Sequence, residues 1–230
     1  MPRHARIVLP GHPVHLIQRG HNKHACFFED NDYHGYLHWL KRCADESGCD
    51  VHAYALMTNH VHLALTPHAH DSLAQLMKSL NQHYVAYINR TRSRTGTLWE
   101  GRFKSCLLHD NAYFLTCMRY IELNPVRAGM ALHPRHYRWS SYRANAEGAL
   151  DPRIVPHPVY LALGNTRAGR EAAYQGLFKD EIDKEAMQRL RLATNSNHIL
   201  GTPEAIEALS AMLGRRIVPG HPGRPRKLAE

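Results

Sequence analysis

The sequence predicts an α+β fold: a ferredoxin-like β-α-β-β-α-β antiparallel sheet, one extra helix after it, and a small C-terminal helical extension. Three observations carry that expectation. Two short strand-like runs, 51–57 and 60–66, are joined by only Thr58 and Asn59, which suits a tight antiparallel hairpin. A segment with helical apolar spacing lies on each side of that hairpin. Further strand-like runs lie outside those segments, and a third helical segment follows the last of them.

Taken in order, residues 14–19 (Val-His-Leu-Ile-Gln-Arg) read as the first strand. Asp30 and Asn31 offer N-caps to a helix in which Tyr33, Tyr36, Leu37, Leu40 and Cys43 or Ala44 recur at helical spacing, and Gly48 is its stop. After the hairpin, Asp71 and Ser72 cap a second helix with the apolar stripe Leu73, Leu76, Met77, Leu80, Tyr84, Tyr87 and Ile88. The polar, basic stretch 91–96 reads as a loop, and 102–108 as a fourth strand. Asp110 caps the third helix, which Pro125 stops or sharply limits, because proline lacks an N–H and restrains the residue before it. An antiparallel sheet with helices on one face leaves its other face free for a substrate.

The 230 residues suffice for one ordinary domain plus an appendage, placed at 1–150 and 151–230. The boundary follows a change of character at the proline-rich run beginning Asp151-Pro152. Hydrophobic residues at 43% and charged residues at 21% belong to a soluble globular chain. No apolar run approaches membrane-spanning length and no signal-peptide core is present, so a cytoplasmic protein without membrane partners is expected. With 29 Lys+Arg against 20 Asp+Glu, the net charge of +9 favours a polyanionic partner such as nucleic acid. Five cysteines, none spaced as CxxC, argue against a disulfide framework or a cysteine-rich zinc module.

Nineteen histidines make any single one a weak signal, so spacing decides. His60 and His62 start the third strand and point to one face, while Val61, Leu63 and Leu65 point to the other. Two imidazoles so placed can converge on one cation, which could be Mn, Zn, Fe or Ni, and with oxygen co-ligands they can also hold Mg. Among the 11 tyrosines, Tyr120 has a distinctive place, with Asn124 four residues on and so on the same helical face. Residue spacing alone also allows Tyr113, Cys117 and Tyr120 to form a packing stripe.

Met57-Thr58-Asn59-His60-Val61-His62-Leu63 resembles the His-hydrophobic-His signature of HUH endonucleases. More narrowly, it resembles the single-tyrosine insertion-sequence transposases and their REP-associated tyrosine transposase relatives. Gln18-Arg19-Gly20-His21-Asn22, Thr97-Leu98-Trp99-Glu100-Gly101-Arg102-Phe103-Lys104-Ser105 and Arg119-Tyr120-Ile121-Glu122-Leu123-Asn124-Pro125-Val126-Arg127-Ala128-Gly129 match in order, over about residues 1–145. The resemblance implies an endonuclease and strand transferase in which Tyr120 attacks a scissile phosphate to form a 5′-phosphotyrosine. His60 and His62 would hold Mg²⁺ or Mn²⁺. Asn124 would be the third ligand where family members often carry glutamine. Glu122 points elsewhere on an ideal helix. The implied substrates are single-stranded DNA hairpins in repetitive extragenic palindromes, acted on by a monomer or a homodimer.

Arg94, Arg102, Lys104, Arg119 and Arg127 flank the expected centre and could neutralise phosphates; Trp99 could stack on a base. Arg19 and Asn22 are further candidates, and Arg224 and Arg226 lie in a Gly-Arg-Pro tail like an AT-hook core. Three competing readings remain: a DNA-binding regulator without catalysis, a relaxase or replication initiator using Tyr33 or Tyr36, and an unrelated zinc hydrolase.

Overall fold

The computed structural model describes residues 6–213 and 217. The first strand, β1 (Val14–Arg19), is followed by α1 (Asp30–Ser47), the hairpin β2 (Cys49–Met57) and β3 (His60–Pro67), α2 (Ser72–Thr91), β4 (Lys104–Leu108) and α3 (Asn111–Arg127). This is the expected order, with the hairpin joined by Thr58 and Asn59. After it come α4 (Tyr142–Glu147), α5 (Pro158–Leu161), α6 (Arg167–Gly176), α7 (Lys184–Ser196), β5 (Ile199–Leu200) and α8 (Pro203–Leu213). The sheet runs β2-β3-β1-β4-β5, antiparallel except where β5 pairs in parallel with β4.

Local chemistry sets the helix ends. The start of α1 is capped one residue earlier than the sequence suggests, at Glu29, in a reciprocal capping box with Asp32. Asp32 also accepts from the Phe28 N–H and, though buried, meets Arg92 at 3.3 Å. Gly48 ends α1 in the left-handed region at φ 65, where a Cβ is disfavoured. Asp110 caps α3 by accepting from the Ala112 N–H. Pro125 does not stop α3. It sits in the last turn, where only one donor is lost, and the helix ends two residues later with the Ala128 N–H bonded to Asn124 O.

Two cores lie on opposite faces of the sheet. Val14, Leu16, Val61, Leu63, Leu65 and Leu107 pack with the apolar stripes of α1 and α2. Ala53, Ala55, Ala64, Cys106 and Leu108 pack with Phe114, Cys117, Met118, Tyr120 and Ile121 of α3 and with Leu190 and Ala193 of α7. The second face is therefore not free. The small side chains of β2 and β3 let α3 lie close to the sheet, and access to this face is confined to a cleft.

Helices α5, α6 and α7 extend this second layer through Tyr160, Tyr174, Leu190 and Ala193. Thr194 of α7 hydrogen-bonds His15 of β1, Asn197 Oδ1 accepts from the Ser105 N–H, and β5 adds to the sheet edge. Glu122 faces this layer, as its helical position implies. Its buried carboxylate accepts from Ser141, Asn145 and Tyr174, tying α3 to α4 and α6. Burial pushes its pKa up to about 7.

Candidate active site

A cleft of ≈ 730 Å³ opens where β1, β3, α3 and α7 meet. Strand alternation brings β1 and β3 side chains to it: Ile17 pairs with His62 and Arg19 with His60, all on the second face. The His60 and His62 rings lie 5.0 Å apart, centre to centre, at 74°. Helix α3 delivers Tyr120, whose ring lies 5.6 Å from that of His62 at 82°, and Asn124 one turn later.

Hydrogen bonds fix how the two imidazoles face the cleft. His60 Nδ1 lies 2.6 Å from Asn59 Oδ1, and Asn59 donates its amide to Lys23 O, so His60 Nδ1 is the donor. His62 Nδ1 lies 3.0 Å from His15 Nε2. Both rings thus use Nδ1 for protein contacts and keep Nε2 for a ligand. Both are held neutral by burial: His60 is lowered to about 4, with Arg19 adding to the effect, and His62 falls well below its usual range. A neutral imidazole is the metal-binding form.

Asn124 Nδ2 donates to Tyr120 O at 2.8 Å. A carbonyl only accepts, so the amide nitrogen must face it, and Oδ1 of this cleft-lining residue is left as an acceptor. Two imidazole nitrogens and one amide oxygen suit a divalent cation that keeps open positions. Among the described residues no group of three or more His, Cys, Asp or Glu could hold a metal, so a third protein ligand here would have to be of another type, as Asn124 is.

The cleft wall is cationic. Arg6, Arg19, Arg102, Lys104 and Arg191 line it against one carboxylate, Glu100, which favours a polyanion. Arg6 is fixed by donating to Phe103 O and by lying 3.7 Å over the Phe103 ring; burial and the neighbouring Arg102 lower its pKa to about 10, so it stays charged at neutral pH. Tyr120 is enclosed by two guanidinium groups. Arg191 Nε lies 3.5 Å from its hydroxyl, and Arg127 sits 5.1 Å from its ring centre.

The structure separates the residues expected from sequence. His60, His62, Tyr120, Asn124, Arg19, Arg102 and Lys104 share the cleft, with Arg127 against Tyr120. Trp99 does not offer a face to a base: it is 5% exposed and packed against Tyr36 and Tyr84. Arg119 turns away to donate to Asp180 O, and Arg94 bonds Thr97 O beside a different hollow. Asn22 is exposed at φ 51 in the turn after β1. Arg224 and Arg226 lie outside the described residues.

His15, Thr194, Arg191 and Arg6 are the residues sequence reasoning missed. His15 and Thr194 are 179 residues apart, and no local spacing connects them. His15 does share its strand face with Ile17 and Arg19, and alternation alone could have flagged it.

The family model for IS200-like transposases matches residues 9–124. Among solved structures, one described as a REP-associated tyrosine transposase bound to a REP hairpin is similar at 15% identity and a TM-score of 0.56, covering 68% of this chain and 93% of that one. A putative transposase from Deinococcus radiodurans is similar at 19% identity and a TM-score of 0.38, covering 53% of this chain and 96% of that one. No curated protein matches. Among the described residues no helix is long and apolar enough to cross a membrane.

Proposed function

This chain belongs to the IS200-like transposase family, and from that premise we propose that it is a divalent-metal-dependent endonuclease and strand transferase acting on single-stranded DNA through Tyr120. The observation that carries this reading is the Tyr120 ring 5.6 Å from His62 inside a basic cleft.

In the proposed reaction Tyr120 Oη attacks the scissile phosphorus and loses its proton. The P–O3′ bond breaks, and the departing 3′-oxygen takes up a proton. The product is a 5′-phosphotyrosine and a free 3′-hydroxyl, and attack by a 3′-hydroxyl on that ester restores the tyrosine. The ester is conserved throughout, so no external energy source is needed. A phenol, with an ordinary pKa near 10, is both an attainable nucleophile and an adequate leaving group. Arg191 and Arg127 place positive charge beside Tyr120, where negative charge develops in the transition state in both directions. His60, His62 and Asn124 would hold Mg²⁺ or Mn²⁺, which supplies Lewis-acid polarisation of a phosphate oxygen. Arg19, Arg102 and Lys104 hold the backbone phosphates.

For the substrate we take a hairpin from a repetitive extragenic palindrome, supported by the hairpin on the structural neighbour and by the implied family likeness. One chain supplies both Tyr120 and the histidine pair, so a monomer suffices, acting on DNA in the cytoplasm. The relaxase alternative is not favoured: Tyr33 is stacked between Phe27 and Trp139, and Tyr36, on the inner face of α1, is fully buried. On this reading the nuclease domain is 1–150, and in the extension that follows α7 walls the cleft through Arg191 and Asn195.

The test uses labelled single-stranded hairpin oligonucleotides with Mg²⁺ or Mn²⁺ and a denaturing gel. A protein–DNA band is expected from the wild type. It should be absent from Tyr120→Phe and after chelation. Equal bands from wild type and Tyr120→Phe would remove Tyr120 from the reaction, and cleavage that survives chelation would remove the metal.

A further inference from the structure

We propose that Thr194 of α7, acting through His15 of β1, sets the tautomer of His62 and so presents the His62 Nε2 lone pair to the cation. Thr194 and His15 are positioning residues, and α7 thereby becomes part of the metal site. This inference rests on the reading of His60 and His62 as metal ligands.

The argument is a proton count along one chain of hydrogen bonds. Thr194 Oγ1 lies 2.8 Å from Leu190 O. That carbonyl can only accept, so the single hydroxyl proton of Thr194 points to it. His15 Nδ1 lies 2.8 Å from the same Oγ1, and with the hydroxyl proton already used, His15 must donate. A neutral imidazole has one N–H, so His15 Nε2 is left as an acceptor. His62 Nδ1 lies 3.0 Å from it and must in turn donate. The one proton of His62 is then on Nδ1, and Nε2 carries the lone pair.

Geometry makes this path specific. The His15 and His62 rings are nearly coplanar in orientation, 2° apart, and both meet the Tyr120 ring edge-on at 83° and 82°. His15, His62 and Thr194 are 0%, 2% and 0% exposed, so water does not compete for these bonds. Cys106 Sγ, 3.2 Å from Thr194 Oγ1, offers the hydroxyl proton a second acceptor; whichever acceptor takes that proton, it is not available to His15. The other ligand is oriented differently: His60 is fixed by Asn59 from its own turn. One imidazole is therefore set locally, and the other from the far end of the chain. Helix α7 is held in place for the task by Asn197 on the Ser105 N–H, by Lys104 on Asn195, and by the Leu107 N–H on His198 O.

The experiment has two arms. In the metal-free protein, ¹⁵N–¹H long-range spectra of the histidine rings are compared for wild type, Thr194→Ser and Thr194→Val. His62 is expected as the Nδ1–H form in wild type and Thr194→Ser, and as a mixture in Thr194→Val. Titration with Mn²⁺ alone is expected to show a dissociation constant about 10–100-fold weaker in Thr194→Val, as for other supporting contacts to metal-bound histidine, and near wild type in Thr194→Ser. An Nε2–H form of His62 in the wild type overturns the inference, and needs no variant to fold. Equal tautomer populations in wild type and Thr194→Val also overturn it. Absence of Mn²⁺ binding by the wild type overturns the metal reading instead, and the ring spectra then decide the hydrogen-bond relay alone.

Discussion

The two faces of the sheet are built from different residues. Toward α1 and α2 the strands present Val14, Leu16, Val61, Leu63 and Leu65, branched aliphatics that fill space against long helical stripes. Toward α3 and α7 they present Ala53, Ala55 and Ala64 together with His15 and His62, all buried. The first face gains stability from apolar area. The second gives up bulk so that α3 can bring Tyr120 next to the histidines, and it satisfies its polar groups with hydrogen bonds from α7. One layer thus holds the fold while the other holds the chemistry, and the two can be perturbed separately.

The largest separation should come from Leu80→Ala. Leu80 of α2 is fully buried in the first core, and removing its side chain leaves a cavity worth about 2–5 kcal/mol. For a chain of this size each kcal/mol lowers Tm by roughly 2–4 °C. Thermal denaturation should show that loss, while Mn²⁺ affinity and cleavage per folded molecule at low temperature stay near wild type. Loss of metal affinity in the folded fraction would break the division between the faces.

The first face was also the one legible in the sequence. Helical spacing of Leu73, Leu76, Met77 and Leu80 and the alternation of Val61, Leu63 and Leu65 report their partners directly, because apolar burial leaves a period. His60 and His62 stood out by the same alternation, and Tyr120 with Asn124 by helical spacing. Apart from His15, which alternates with Ile17 and Arg19, the remainder of the second face leaves no such period. Alanine is compatible with any environment, and Thr194 reads as an ordinary helix residue until the fold brings it to His15. Arg191 and Arg6 reach the cleft through tertiary packing that local spacing does not encode. Trp99 shows the converse: its place beside the basic motif allows it to stack on a base, yet Tyr36 and Tyr84 enclose it.

A second perturbation acts on the chemical layer through pH. Glu122 is raised from 4.5 to about 7, mainly by burial, against the bonds from Ser141, Asn145 and Tyr174. Its folded pKa exceeds the unfolded one, so the folded state binds the proton more tightly. The associated stability is fully present below about pH 4.5 and is lost as pH rises through about 7. The linkage is worth about 3 kcal/mol at most. Glu122→Gln keeps an acceptor for Ser141 and Asn145 and can donate to the Tyr174 oxygen. It should match or exceed wild-type stability at pH 8 in chemical denaturation. It should also flatten the Glu122 part of the pH dependence between 4.5 and 7. A variant less stable than wild type at pH 8 would show that the ionised carboxylate is the form that holds α4 and α6.

A loss of stability smaller than that of Leu80→Ala should carry the clearest change in function. Ala64 sits on the second face, paired with His15 across β1 and β3, and is fully buried. Ala64→Leu adds bulk between the sheet and α3, where overpacking typically costs about 1–3 kcal/mol. The strain has little room to relax into the sheet, since β3 is paired on both sides, so it should displace α3 and with it Tyr120. We expect a modest fall in Tm, a partial loss of Mn²⁺ affinity confined to the Asn124 contribution because His60, His62 and His15 stay on their strands, and a large fall in covalent adduct. That pattern is the reverse of the one expected for Leu80→Ala. If adduct formation survives while stability falls, the small residues serve packing alone, and the closeness of α3 to the histidines is not what the second face is built to provide.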